Sequence, residues 1–319
     1  MFIGVDLGGT NIAVGIVDDR CRLKLQKSKL TRRQRQPEAI IKDIIELISE
    51  VIKDYGITKE EIKAVGIGIP GLFNPDTGEV IQCVNLNWKD VQLKEPMEKA
   101  FGIPTFIDND ATLAGLAEYE AGAMKNKKSG VFITLGTGVG GGVIIDGKIH
   151  TGFNGVASEI GHMIVGENYY DCNCGRNGCL ETFASSTALI NYTKKLMKEE
   201  KKETIITKII DENIDKLDGK VIFEAAFKED EIANQAVDRM VKYLATGIVN
   251  IVSVIDPEIF VIGGGLSKAG EFLLDKIRRE ATKNKYYRTL SIGKIVLAEL
   301  GNEAGIIGAA MLGKHCINM

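Results

Sequence analysis

Between residues 158 and 182 the chain reads SEIGHMIVGENYYDCNCGRNGCLET, which gathers three of its six cysteines and one of its three histidines between two glutamates. Cys172, Cys174 and Cys179 follow the pattern C-x-C-x4-C, with Gly175 and Gly178 available for tight turns and His162 a short way upstream. Four such ligands satisfy the tetrahedral preference of Zn2+ and leave no open position, so the spacing points to a structural rather than a catalytic zinc. Thiolates drawn around a metal turn binding energy into local folding energy, which would order an otherwise loose loop. A redox C-x-C pair is the alternative use of the same cysteines. Glu159 and Glu181 flank the segment. Carboxylates held on a rigid scaffold are well suited to accept hydrogen bonds from ligand hydroxyls.

A second set of residues could hold phosphate. Asp6-Leu7-Gly8-Gly9-Thr10-Asn11 lies between two apolar, strand-like runs. Glycines let backbone N–H groups approach a phosphate closely, and Thr10 and Asn11 can donate to it. Asp6 can hold Mg2+ through water. A plain hairpin turn would use the same glycines, but a matching turn recurs at Gly136-Thr137-Gly138. Two such turns, one per lobe, would clasp a polyphosphate from both sides. Two motif matches fail in context. Gly136, Gly138 and Gly141 satisfy G-x-G-x-x-G, with Glu159 where a ribose-binding acid would stand, yet GGVIIDGKI continues as a strand and the dinucleotide fingerprint must open a helix. Gly142 to Lys148 spells G-x-x-x-x-G-K, but Ile149 stands where Ser or Thr must meet Mg2+.

The elements that must position these groups are legible in outline. FIGVDLGGTNIAVGIV (2–17) and VFITLGTGVGGGVII (131–145) share one plan of strand, Gly/Thr turn and strand, ending near Asp18-Asp19 and Asp146-Gly147. The echo predicts two related lobes. Residues 37–56 have helical apolar spacing and end at Gly56, 62–71 read as a strand, and a Pro/Gly/Asp-rich loop follows to about residue 80. PTFIDND (104–110) runs from strand to helix, 185–248 are mostly helical, 256–267 read as strand, glycine turn and helix start, 292–300 as strand, and GNEAGIIGAAMLGK as a small-residue helix. Strands alternating with helices indicate an α/β fold. No Gly/Ser or Pro-rich linker is visible, so the lobes are expected to pack directly around a cleft.

Composition excludes several classes. The 319 residues are 45% hydrophobic and 26% charged, enough for two lobes with ordinary cores. A net charge of −3 gives no reason to expect nucleic acid. No apolar stretch approaches the roughly 20 residues a membrane helix needs, and no secretory signal is visible. A cytoplasmic protein is expected, in which clustered cysteines mean metal or redox chemistry.

Asp6-x-Gly8-x-Thr10, the Gly136–Gly142 turn, Glu159-x-Gly161-His162, Cys172-x-Cys174-Gly175-x-x-Gly178-Cys179-x-Glu181 and Gly263-Gly264-Gly265 together resemble the ROK family of sugar kinases and repressors, most closely its bacterial glucokinases. The resemblance covers nearly the whole chain. It implies an actin-like ATPase fold of two ribonuclease-H-like lobes with the active site in the interlobe cleft. The smaller lobe would be 1–108 completed by 301–319, and the larger 109–300, with the zinc knot and adenosine region. It implies ATP-dependent phosphorylation of glucose at the 6-hydroxyl, with Mg2+ entering on ATP, a structural Zn2+, and a homodimer or homotetramer. Other hexoses (fructose, mannose, allose, N-acetylated hexosamines) are the alternative substrates.

By the same resemblance Asp110 is the general base, and Gly71, Asn109, Asp110, Glu159, His162 and Glu181 contact the sugar. His162 would place one ring nitrogen on zinc and the other toward a hydroxyl. Gly263, Gly264 and Gly265 would let adenosine lie against the backbone. Asp108, Asn109 and Asp110 are all suited to cap the following helix, and the family pattern selects Asp110 as the base. A family repressor would add a helix-turn-helix domain, and a sensor without catalysis would be expected to lose Asp110 or the DLGGT turn. An NAD-dependent oxidoreductase rests only on the failed glycine motif.

Overall fold

The computed structural model describes residues 1–200 and 202–317. The chain opens on the expected hairpin. β1 (Phe2–Leu7) and β2 (Asn11–Val17) pair antiparallel with Leu7 opposite Ile12, and β3 (Leu23–Leu30) joins the free edge of β2. Pro37 in the first turn starts α1 (Pro37–Tyr55), and Gly56 in the left-handed region ends it, at φ 76°. β4 (Ala64–Ile69) is buried at every position and pairs parallel with β1.

The expected loop that follows is largely a small antiparallel sheet of β5 (Leu72–Phe73), β6 (Glu79–Cys83) and β7 (Trp88–Gln92). Asn74 Oδ1 accepts from the N–H groups of Asp76 and Thr77 at 2.9 and 3.2 Å, so the Pro/Gly/Asp signal marks a hairpin turn with short arms. After α2 (Lys94–Phe101), β8 (Thr105–Asn109) pairs parallel with β4 and runs without a break into α3 (Asp110–Ala121).

The second half repeats the plan. β9 (Gly130–Leu135) and β10 (Val139–Ile145) form the second hairpin, extended by β11 (Lys148–Ile149). Among the described residues of 181–227 the α-helices are α4 (Glu181–Ala184), α5 (Ser186–Glu199), α6 (Ile205–Ile209) and α7 (Gly219–Phe227). The long α8 (Glu231–Val254), β12 (Ile259–Gly263), α9 (Glu271–Asn284), β13 (Lys294–Leu297) and α10 (Ala304–Ile317) complete the chain. The two main sheets run β3-β2-β1-β4-β8 and β11-β10-β9-β12-β13, so each builds an antiparallel hairpin and then two parallel strands. The echo read in the sequence is therefore an echo of topology.

Two compact units result. One comprises Met1–Lys128, Gly142–Ser158 and the stretch from Glu299 onward; the other comprises Ser129–Gly141 and Glu159–Ala298. The expected division at 108/109 and 300/301 differs, because α3 stays with the first unit. A Cβ on Gly308 of α10 would lie 1.8 Å from the Leu113 carbonyl oxygen of α3, so the two helices touch backbone to backbone. Gly142 is held in the same unit by Ala111, Thr112 and Gly115 of α3.

α10 lies equally close to the first sheet. Gly15, Gly4 and Gly66 are register partners on three adjacent strands. A Cβ on Gly4 would meet the Ile306 oxygen at 1.9 Å, and one on Gly66 the Ala309 oxygen at 1.7 Å. The opposite face of the sheet carries Ile3, Val5, Leu7 and Ile67 into a core with Ile40, Ile44 and Ile48 of α1. Gly66→Ala is therefore expected to lower stability by about 3 kcal/mol or more through overpacking against backbone. Gly136→Ala, where a Cβ meets nothing within 4 Å, should shift stability by less than about 0.5 kcal/mol. Urea unfolding followed by circular dichroism separates the two.

Candidate functional site

In the first unit the chemistry gathers at the carboxyl ends of β1, β4 and β8. The Gly8-Gly9 turn is closed by Gly8 N–H donating to the Asn11 oxygen at 2.9 Å. It is braced by Thr31, whose hydroxyl donates to the Gly8 oxygen at 2.7 Å and whose N–H donates to the Thr10 oxygen at 2.8 Å. Gly9 packs on Asn85, while Thr10 and Asn11 stay exposed and available to a ligand. Gly71 lies against Gln82 and Cys83 of β6, which fixes the Pro70-Gly71 corner; the Cys83 thiol donates to the Pro70 oxygen at 2.7 Å.

Asp6, Gly68 and Asp108 are neighbours in register across β1, β4 and β8, so their side-chain positions share one face of the sheet. Gly68 leaves that face open at its centre: a Cβ there would sit 3.6 Å from the Cα of Asp110. The start of α3 is thus seated over Gly68, with the charge of Asp110 felt at Asp6. Asn109 is the cap, its Oδ1 accepting from the N–H groups of Ala111 and Thr112 at 2.9 and 3.2 Å. Asp110 occupies the first helical position, with Oδ1 accepting from Ala111 N–H at 2.8 Å. Capping is therefore chiefly the work of Asn109, and the Asp110 carboxylate sits in the favourable field of the helix N-terminus. Burial, and then the nearby charge of Asp110, push Asp6 up to about 6. A cation beside Asp6 would relieve both effects.

In the second unit Gly136 N–H donates to the Gly138 oxygen at 3.0 Å, Ser186 N–H to the Gly136 oxygen and the Thr187 hydroxyl to the Thr137 oxygen, both at 2.8 Å. Thr137 itself is exposed. Glu181 ties this turn to the cysteine segment. Its Oε2 accepts from Val139 N–H at 3.1 Å and fills the space a Cβ on Gly138 would take, while Oε1 lies 3.7 Å from Cys172 Sγ.

His162, Cys172, Cys174 and Cys179 converge, with one donor atom from each lying within 4.8 Å of the others. His162 Nδ1 faces Cys172 Sγ at 3.6 Å, and the Cys174 and Cys179 sulfurs are also 3.6 Å apart. These spacings suit four donors about a zinc ion, whose Zn–S bonds are about 2.3 Å and Zn–N bonds about 2.0 Å. The close thiol pair is Cys174–Cys179, not the adjacent C-x-C pair. Gly178 permits the fold-back; a Cβ on it would meet the Gly166 oxygen at 1.8 Å. Hydrogen bonds from Arg176 help bring the Cys174 thiol down to about 6, whereas burial pushes Cys172 up to about 12. The other ring nitrogen of His162, Nε2, points toward Glu159 Oε2 at 4.0 Å, and Glu159 is exposed.

The glycines after β12 divide by role. Gly264, at φ 83°, passes so near Leu135 that a Cβ would lie 2.6 Å from its N and O, and Gly263 packs on the Phe132 ring. Gly265 alone faces open space. The first two pack on β9, and the third has open space beside it.

Sequence reading missed three supports. Thr31 and Asn85 carry no local signal, because each acts on a residue far away in the chain. The third is Arg239 on α8, whose guanidinium lies 4.3, 4.7, 5.3 and 5.8 Å from the rings of Tyr192, Phe183, Tyr243 and Tyr169. It also donates to Asn168 Oδ1 at 2.8 Å, and Asn168 donates to the Thr182 oxygen at 2.7 Å. The cage therefore backs the loop that carries the cysteines and Glu181.

A sequence model described as the ROK family matches residues 2–315. A glucokinase of Halalkalibacterium halodurans is 35% identical over 315 residues, 98% of this chain and 95% of the relative. A crystal structure of a ROK family glucokinase from Streptomyces griseus, in complex with glucose and AMPPNP, superposes with a TM-score of 0.82 at 33% identity, covering 98% of this chain and 99% of that one. A xylose repressor of Caldicellulosiruptor bescii is 30% identical over 308 residues, which make up 96% of this chain and 76% of the repressor.

Arg239→Met keeps the length of the side chain and removes its charge. Cation–π contacts contribute about 0.5–2 kcal/mol each, so the variant is expected to lose about 2 kcal/mol of stability. Amide exchange should quicken in the 166–182 loop ahead of the first unit. Uniform exchange across the chain would show that the cage does not support that loop.

Proposed function

The chain belongs to the ROK family, and from that premise we propose that it transfers the γ-phosphoryl group of ATP to the 6-hydroxyl of glucose. The observation that carries the reading is its likeness, over nearly its full length, to glucokinases, one of them solved with glucose and AMPPNP. Asp110 accepts the proton of the 6-hydroxyl as that oxygen forms its bond to the γ-phosphorus and the bond to the β-phosphate oxygen breaks, releasing ADP. Asp110 stands at the first position of α3, directly after the Asn109 cap.

The exposed Thr10, Asn11 and Thr137 and the backbone of the two glycine turns receive phosphate oxygens. Asp6 is the carboxylate available to the Mg2+ that enters with ATP, and that ion neutralises charge on the phosphates. Asn109, Glu159, His162 and Glu181 read sugar hydroxyls, with Gly71 lining the sugar and Gly263, Gly264 and Gly265 the adenosine. His162, Cys172, Cys174 and Cys179 would hold a structural Zn2+, which would order the loop behind Glu181 and set the tautomer of His162. A cytoplasmic homodimer or homotetramer completes the proposal.

The test is steady-state kinetics beside metal analysis. Asp110→Asn should lower kcat by about 10²–10⁴-fold while calorimetry still detects glucose binding. The parent should carry about one zinc per chain, and Cys179→Ser should lose it. Full activity in Asp110→Asn would remove the base assignment, and a metal-free parent that stays folded would remove the zinc.

A further inference from the structure

The carboxylate of Asp108 has no place in the chemistry above, yet it shares a register row with Asp6 and directly precedes the Asn109-Asp110 pair. We propose that Asp108 is a positioning residue, its buried carboxylate holding the Asn109 amide so that the first turn of α3 presents Asp110, at a cost in fold stability. This rests on the kinase reading only for what the presented residue does.

Asp108 is 7% exposed, and its Oδ1 accepts from Asn109 N–H at 2.7 Å. Among the described residues no Lys, Arg or His forms an ion pair with it. It lines a cavity of about 170 Å³ in the first unit together with Phe73, Lys94, Thr105, Thr151 and Cys316. The titratable groups facing it are Lys94, at the start of α2, and the Cys316 thiol of α10, which burial and the Asp108 charge push up. A buried carboxylate without an ion pair is disfavoured, and an uncharged residue would normally stand there.

What the carboxylate adds is a charge-assisted hydrogen bond to one specific amide. That amide belongs to Asn109, whose backbone at φ −65° and ψ 139° directs its side chain onto the Ala111 and Thr112 N–H groups. Loosening it would free the cap and Asp110 together. Gly68, with space for Asp110 and no side chain of its own, supplies no competing restraint.

The energetic sign follows from burial, which raises Asp108 from 3.8 to about 6. Between these values the unfolded chain has released the proton and the fold retains it. Asp108 thus takes stability from the parent as pH rises through this window, and its contribution levels off above it. Asp108→Asn, neutral at every pH, escapes that loss. Asp6 is unchanged in both proteins and cancels from the comparison.

The experiment compares the full-length parent with Asp108→Asn and Asp108→Ala by thermal unfolding from about pH 4 to about pH 8, amide exchange at 109–112, and glucose phosphorylation with Mg·ATP. Asp108→Asn is expected to melt above the parent by an amount that opens between pH 3.8 and about 6 and then stays constant. It should also exchange the Asn109 and Ala111 amides faster and lose about tenfold in kcat, with Asp108→Ala losing more. Should Asp108→Ala fail to fold, Asp108→Asn alone decides. An Asp108→Asn variant that melts at or below the parent above pH 6, or that keeps the parent's exchange rates, overturns the proposal. A parent that phosphorylates no sugar would instead remove the kinase reading, while melting and exchange still decide what Asp108 does.

Discussion

The close approach of α10 to the first sheet is the constraint on which the rest of that unit depends. Three register-matched glycines, Gly15, Gly4 and Gly66, form a trough across adjacent strands, and the carbonyls of Ile306 and Ala309 lie where two of their side chains would be. Once α10 is seated, its first turn puts Gly305 against Asp6, where a Cβ would be 2.5 Å from Oδ2. Gly308, further along, brings α3 in on the Leu113 carbonyl. The seat of α3 then sets its N-terminus over Gly68, with Asp110 there. Side chains normally hold a helix away from the sheet it covers, so glycine at these positions is the condition for this geometry.

The second unit reaches a similar end by a different route. The second sheet has the corresponding strand order, but the cysteine segment of the second unit lies largely outside regular structure and is fixed by cross-links. Glu181 joins the glycine turn to the cysteine segment, Gly178 folds that segment onto Gly166, and Arg239 with its aromatic rings braces Thr182 from behind. A metal bound by the four converging ligands would be one more such link. Under the proposed function these polar side chains would read sugar hydroxyls, a task that needs such rigidity.

Much of this was legible in the sequence wherever the signal was local. The two glycine hairpins, the helix ended by Gly56, the strand-to-helix step at 104–110 and the Cys3His spacing each depend on residues close together in the chain. The sheet at 72–92 was not legible, because its strands are too short for a periodic pattern and its turn residues read as loop. The unit boundary was displaced because nothing in α3 announces that α10, nearly two hundred residues later, will claim it. The choice of cap among Asp108, Asn109 and Asp110 was open in sequence, since all three residue types cap helices; backbone geometry decides it for Asn109. No helix among the described residues is long and apolar enough to cross a membrane, in keeping with the hydropathy of the chain.

The step that most needs demonstration is transfer of a phosphoryl group from ATP to one hydroxyl of one sugar. Phosphorus NMR of the product formed by the parent protein from glucose and Mg·ATP tests it most directly. Glucose 6-phosphate and ADP in equal amounts are the expected products. Glucose that binds but is recovered unphosphorylated, or a product carrying phosphate on another oxygen, would contradict it.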